Sequence, residues 1–168
     1  MPISLNYKFL LQASVLSALA TSVINLAISR TLWYNYDLIP LWGPQCIASY
    51  LTTASMVFSF GITLIVTKAA RKALRTQQIL PLHWHLKSQT IIDQLPVPTV
   101  HRAFILSILG ALMAGLTIFL LNYKNFTAFY YYEFAAFSIV YFSMLSVAMA
   151  VMSAYRAMGD DVLKQFKV

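Results

Sequence analysis

One stretch, residues 46–75, restricts the fold of this chain more than any other. Residues 46–67 carry no charge, and a cluster of cations follows directly. A helix over 46–67 would be about 33 Å long at 1.5 Å per residue, enough to cross a bilayer core of about 30 Å. The cations follow at i, i+3, i+4 and i+7, so they share one face if the helix continues. These four cations are Lys68, Arg71, Lys72 and Arg75.

The composition agrees with a membrane location. Hydrophobic residues make up 60% of the 168 residues and charged residues 10%, whereas soluble domains average about 45–50% apolar and about 25% charged residues. The single cysteine, Cys46, excludes an internal disulfide and a cysteine-rich metal or redox centre. The net charge of +7 would suit nucleic acid, but the cations lie beside apolar spans, so we predict no nucleic-acid partner.

Three further apolar segments are long enough to cross a bilayer. We therefore predict an all-α integral membrane protein with a single membrane domain over residues 1–168. Residues 68–102 form its one long connection, which is expected to be cytoplasmic. The four predicted spans are residues 9–29, 46–67, 103–123 and 133–155.

The first span needs separate consideration because it resembles a secretory signal peptide. Lys8 precedes the apolar run, and Ala18-Leu19-Ala20 imitates a cleavage site. The apolar run continues to Ile28, which is longer than a usual signal-peptide core. We expect this segment to be retained as a membrane helix.

Lysine and arginine are distributed unevenly between the two sides that these spans define. If both termini and the long connection share one side, that side holds ten of the twelve cations and the other holds only Arg30 and Lys124. Because lysine and arginine near a membrane accumulate on its cytoplasmic side, both termini are predicted to be cytoplasmic. Short outer connections would make spans one and two, and spans three and four, antiparallel neighbours in an up-down four-helix bundle.

Each span carries small and polar residues at intervals of three and four. Membrane helices associate through close backbone approach and interhelical hydrogen bonds, so these rows are expected at helix contacts. Asn25 is interpreted as an amide bonded to a neighbouring helix or, alternatively, as part of a substrate path. The residues assigned to helix packing or to such a path are Ser14, Thr21, Asn25, Thr52, Ser59, Thr63, Gly110, Ala114 and Gly115.

Two spans give more specific expectations about helix contacts. In span three, Gly110/Ala114 and Ala111/Gly115 are pairs of small residues four apart, which predict a close crossing with another helix. In span two, the bulky face that includes Tyr50 is expected to lie toward lipid or the outer part of the bundle.

The candidate metal ligands are the three histidines His83, His85 and His101. A zinc site normally needs three or four ligands, and the one cysteine lies across the bilayer from them. The spans contain no histidine for haem and no buried carboxylate for proton-coupled transport. We therefore predict no metal site, no cofactor and no catalytic residues.

The four-cation face of span two is the candidate binding surface. A cation near an anionic membrane surface contributes roughly 1 kcal/mol to binding. Lys68, Arg71, Lys72 and Arg75 are therefore interpreted either as a determinant of topology or as a surface for anionic lipids or a protein partner.

Several short motifs accompany this pattern. They are Pro40-Leu41-Trp42-Gly43, Thr52-Thr53, Leu95-Pro96 and Arg102 at the entry to span three. In these motifs the chain resembles small uncharacterised bacterial proteins with four membrane helices. The resemblance implies a location in the bacterial inner membrane but no activity and no functional residues.

These observations favour a non-enzymatic, multi-pass accessory or assembly subunit that docks other membrane proteins, or copies of itself, and anionic lipids. The first alternative is a small oligomeric channel or transporter with a path lined by serine, threonine and Asn25. The second is a membrane enzyme that acts on a lipid-soluble substrate.

Overall fold

The computed structural model describes residues 5–80 and 94–159, which form four long helices and two short strands. All four helices are long and apolar enough to cross a membrane. The prediction of a helical chain with four membrane-length helices is confirmed to that extent. The elements are α1 (Leu5–Trp33), β1 (Leu38–Pro40), α2 (Ile47–Arg75), α3 (Thr99–Tyr123), β2 (Ala128–Tyr130) and α4 (Tyr131–Gly159).

The ends of α2 follow from local chemistry. Cys46 is the N-cap residue of α2, and its sulfur accepts a hydrogen bond from the backbone N–H of Ser49 at 3.4 Å. At the other end the helix continues beyond the uncharged run to Arg75, so the four cations do lie on helical turns. Helix α3 begins directly after Pro98, because proline lacks the backbone N–H that an earlier helical turn would need.

A two-stranded antiparallel sheet joins the two connections α1–α2 and α3–α4. Ile39 pairs with Phe129, and the N–H of Leu41 donates to the carbonyl oxygen of Thr127 at 2.9 Å. Ile39 and Leu41 are fully buried beneath it. We call this end of the molecule the sheet end. A pairing between segments so far apart was not predictable, since each strand has only three residues.

The order of the helices in the bundle differs from the prediction. The extensive contacts are α1 with α4, α4 with α2, and α2 with α3, whereas α1 and α2 approach each other at few residues. The expectation that α1 lies directly against α2, and α3 directly against α4, is therefore wrong. Short connections bring helix ends together, but polar side chains on α1 bond to α4 instead. The parallel helices α2 and α4 form the centre, and α1 and α3 flank them.

Aromatic rings fill the centre of the bundle near the sheet end. Trp33, Tyr50 and Phe134 contact one another edge to face, with the Trp33 and Tyr50 ring centroids 5.0 Å apart. Phe142 extends this cluster toward the middle of α4. Edge-to-face pairs of this kind contribute about 0.5–1.5 kcal/mol each beyond their buried area. The cluster holds α1, α2 and α4 together near the sheet end.

Candidate functional site

The side-chain amide of Asn25 on α1 is fully buried. Its Nδ2 donates to the Ser138 hydroxyl of α4 at 2.9 Å, and its Oδ1 accepts from the Tyr50 hydroxyl of α2 at 2.7 Å. The expectation that Tyr50 lies toward lipid is wrong, because its phenol ring packs on Trp33 while its hydroxyl reaches the amide. Asn25 therefore links three helices.

Four further hydroxyl pairs connect α4 to its neighbours. They lie between helices at oxygen distances of 2.8–3.2 Å. In a low-dielectric interior such bonds satisfy groups that water cannot reach. The pairs are Thr21 with Ser146 and Ser22 with Ser143 between α1 and α4, and Ser55 with Tyr141 and Thr63 with Ser153 between α2 and α4.

Helices α2 and α3 cross closely at Gly110. A Cβ atom added there would lie 2.9 Å from the carbonyl oxygen of Ser55 and 3.1 Å from the Cβ of Ser59, and it would come nearer still to the Ser59 hydroxyl. That hydroxyl has no conventional hydrogen-bond partner among the described residues.

Of the residues predicted for helix packing, Gly115 and Thr52 are not buried, and the others are. Gly115 is exposed, and a Cβ added to it would meet no atom within 4 Å, so the small pair it forms with Ala111 lies outside the crossing at Gly110. Thr52 is half-buried and donates to the carbonyl of Ala48 in its own helix. The buried members of the set are Ser14, Thr21, Asn25, Ser59, Thr63, Gly110 and Ala114.

At the end of the bundle opposite the sheet, three arginines converge on the segment before α3. We call this the basic end. Arg71 donates to the Val97 carbonyl at 2.7 Å, and Arg102 donates to the same oxygen at 3.2 Å. Arg156 donates to the Leu95 carbonyl at 2.8 Å. These guanidinium groups tie α2, α3 and α4 to one extended segment.

The residues of the four-cation face of α2 thus differ in their surroundings. Arg71 is half-buried and also donates to the Thr99 hydroxyl at 2.8 Å, whereas Lys68, Lys72 and Arg75 are exposed. Arg71 therefore contributes to the packing of α2 on α3. Lys68 and Lys72 therefore remain accessible to a lipid or protein surface.

A groove of about 640 Å³ lies between α2 and α3 near the sheet end. The α2 wall presents small and hydroxyl-bearing side chains, including Ser49 and Thr53, and the α3 wall includes Gly115. Trp42 and Asn122 line the same groove, where the indole N–H donates to the amide oxygen at 3.3 Å. The groove therefore contains a glycine, Gly115, at which another helix can approach the backbone closely, and it also contains hydrogen-bonding groups.

A second groove, of about 550 Å³, lies between α1 and α2 where these helices diverge. Its walls are mostly aliphatic and include Leu16 and Ile24 from α1, and Gly61 and Ile65 from α2. A Cβ added to Gly61 would meet no atom within 4 Å. This groove is open and offers few polar groups.

The histidines give no metal centre within the described part of the chain. His101 is exposed in the first turn of α3, and His83 and His85 lie outside the described residues. Across residues 5–80 and 94–159, no group of three or more histidine, cysteine or acidic side chains is placed to hold a metal ion.

Sequence reasoning did not identify Arg102 and Arg156 as internal residues. It counted both only as cytoplasmic charges, but Arg102 is fully buried and Arg156 nearly so. A signal was present in Leu95-Pro96-Val97-Pro98, because a proline-rich extended segment exposes carbonyl oxygens that no helix satisfies. Arginine has several donors in a planar fork and suits such a cluster of acceptors.

No protein-family model, curated protein or solved structure matches the chain.

Proposed function

We propose that this chain is a multi-pass accessory or assembly subunit that receives a transmembrane helix of a partner membrane protein in the groove between α2 and α3. The observation that carries the proposal is the contrast between the hydrogen-bonded polar groups among the helices and the open groove, whose α2 wall carries small and hydroxyl-bearing residues. We further propose the bacterial inner membrane as its location, with both termini and the basic end on the cytoplasmic side.

The hydrogen bonds of the Asn25 amide favour a function at the protein surface over transport along a path between the helices. A path residue must exchange its hydrogen bonds with a passing substrate, but both ends of this amide are bonded to protein groups. Thr21 and Thr63 likewise bond to serines of α4. Such pairing gives these residues a direct role in holding the helices together.

The groove between α2 and α3 supports a helix as the occupant. Helices in lipid associate where small residues allow close backbone approach and where hydroxyl or amide groups bond across the contact. Gly115 provides the first property, and the exposed hydroxyl of Thr53 provides the second.

Site-specific photo-crosslinking in native membranes tests the proposal. A photoreactive residue at Thr53, in the groove, should capture one defined membrane protein, whereas the same residue at Val140, exposed on α4, should not. Gly115→Leu should abolish the capture because its side chain occupies the groove. Gly61→Leu, which adds the same side chain in the other groove, should leave the capture intact.

Mass spectrometry of the intact complex after mild detergent extraction identifies the captured component. A hetero-complex lost in Gly115→Leu supports the proposal, and a homo-oligomer lost in the same variant assigns the groove to a second copy instead. Capture that is unaffected by Gly115→Leu would overturn the groove as the docking site. Ion or solute flux in liposomes that Asn25→Leu abolishes would replace the accessory function with transport.

A further inference from the structure

The groove between α1 and α2 is aligned with two exposed lysines of the basic end. Gly61 and Ile65 line the groove, and Lys68 and Lys72 follow them on α2. These four residues lie at i, i+4, i+7 and i+11, which places them on one face of the helix. At 1.5 Å per residue, Lys68 is only about 4.5 Å beyond Ile65 along the helix axis.

Arg71 belongs to the same cluster of cations on α2 but is turned away from this groove. Its guanidinium turns toward α3 and bonds to the Val97 carbonyl and the Thr99 hydroxyl. The cations nearest to the groove along α2 are therefore Lys68 and Lys72. Their long aliphatic stems can follow an apolar surface while the ammonium groups reach the headgroup region.

We infer that the α1–α2 groove and these lysines form a binding site for one anionic phospholipid. An acyl chain lies in the groove along Gly61 and Ile65, and the phosphate lies against the ammonium groups of Lys68 and Lys72. The occupant is a lipid because the groove wall is aliphatic and because negative phosphate complements the two positive charges at its end. The hydroxyl of Thr21, at the groove wall, is already bonded within the bundle.

This lipid site is independent of the proposed docking groove between α2 and α3. The two sites lie on opposite sides of α2, which contacts α3 at Gly110 and diverges from α1 at Gly61. Loss of lipid binding would leave partner capture unchanged, and loss of partner capture would leave lipid binding unchanged.

Lipid binding to the delipidated protein in detergent provides the test. Native mass spectrometry measures the binding of phosphatidylglycerol, which is anionic, and of phosphatidylcholine, which is zwitterionic, to the wild type and to variants. At about a fivefold contribution per lysine, Lys68→Gln combined with Lys72→Gln should weaken phosphatidylglycerol binding about 25-fold. Phosphatidylcholine binding should change little. Lys124→Gln, at the sheet end, is the matched charge control and should leave both lipids unaffected.

The groove itself is tested by filling it. Gly61→Leu should weaken the binding of both lipids, because its side chain occupies the space of the acyl chain, and Gly115→Leu should not. Equal effects of the lysine and Lys124 variants, or equal wild-type affinities for the two lipids, would overturn the headgroup assignment. Unchanged binding in Gly61→Leu would overturn the groove assignment. If Gly61→Leu lost helical content by circular dichroism, the lysine variants would still test the headgroup assignment, and Gly61→Ala, which adds one methyl group to the same wall, would test the groove assignment.

Discussion

Replacement of Gly110 by alanine tests the α2–α3 crossing at the scale of one methyl group. The added Cβ would lie 2.9 Å from the Ser55 carbonyl oxygen, and backbone at that distance cannot rotate away as a flexible side chain can. Overpacking of a well-packed site typically lowers the free energy of unfolding by about 1–3 kcal/mol. Alanine also gains about 0.5–1 kcal/mol over glycine within a helix, which partly offsets that loss.

Gly115→Ala and Gly61→Ala separate these two effects. Both positions have open space around the added Cβ, so these variants gain the helix propensity without a clash. Since that gain is common to all three variants, the difference between Gly110→Ala and Gly115→Ala isolates the clash, about 1–3 kcal/mol.

Reversible unfolding in mixed micelles, followed by circular dichroism during titration with a denaturing detergent, measures the difference. Ser59→Ala removes the atom nearest to the new methyl group and should restore part of the stability in the double variant. Stabilities of Gly110→Ala and Gly115→Ala that agree within about 0.5 kcal/mol, the usual range for surface substitutions, would refute the close crossing.

Three further outcomes are expected. Asn25→Leu leaves its two hydroxyl partners without the amide and should lower the free energy of unfolding by about 1–2 kcal/mol in the same unfolding titration. Arg102→Lys loses the planar fork that reaches two carbonyl oxygens and should cost about 2 kcal/mol in that titration, whereas Arg30→Lys at an exposed position should change stability by less than about 1 kcal/mol. In a cysteine-free background, Lys124→Cys should react with an impermeant maleimide in intact cells, and Arg75→Cys should react only after permeabilisation; labelling in the reverse order would contradict the proposed orientation.

The positions of the four helices could be predicted from the sequence because span length and apolar composition are local properties. The uncharged run 46–67 and the cations after it were sufficient to predict α2. The helix order was not predictable in the same way. Every span carries a similar row of small and polar residues, so the pattern indicates a contact face on each helix without indicating which helix meets it. Helix α1 packs against α4 because Thr21 and Asn25 lie within hydrogen-bond distance of particular serines of α4.

The positions of individual side chains were also not predictable from the sequence pattern alone. Tyr50 has a bulky apolar ring, and its hydroxyl becomes decisive only once the Asn25 amide is known to lie within reach. Arg71 and Lys72 have the same formal charge and are adjacent in the chain, yet only Arg71 turns toward α3. The difference depends on the carbonyl oxygen of Val97, which is supplied by a segment distant in sequence.

The pairing of α1 with α4 also has a consequence for the order of biosynthesis. A ribosome completes α1 first and α4 last, so in the proposed membrane location α1 is inserted before its main partner exists. During that interval Thr21 has no Ser146 and Asn25 has no Ser138, and α1 must remain in the bilayer by its own hydropathy. The extensive contacts all join the first half of the chain to the second. Assembly of the bundle is therefore a late event, completed only after translation of α4.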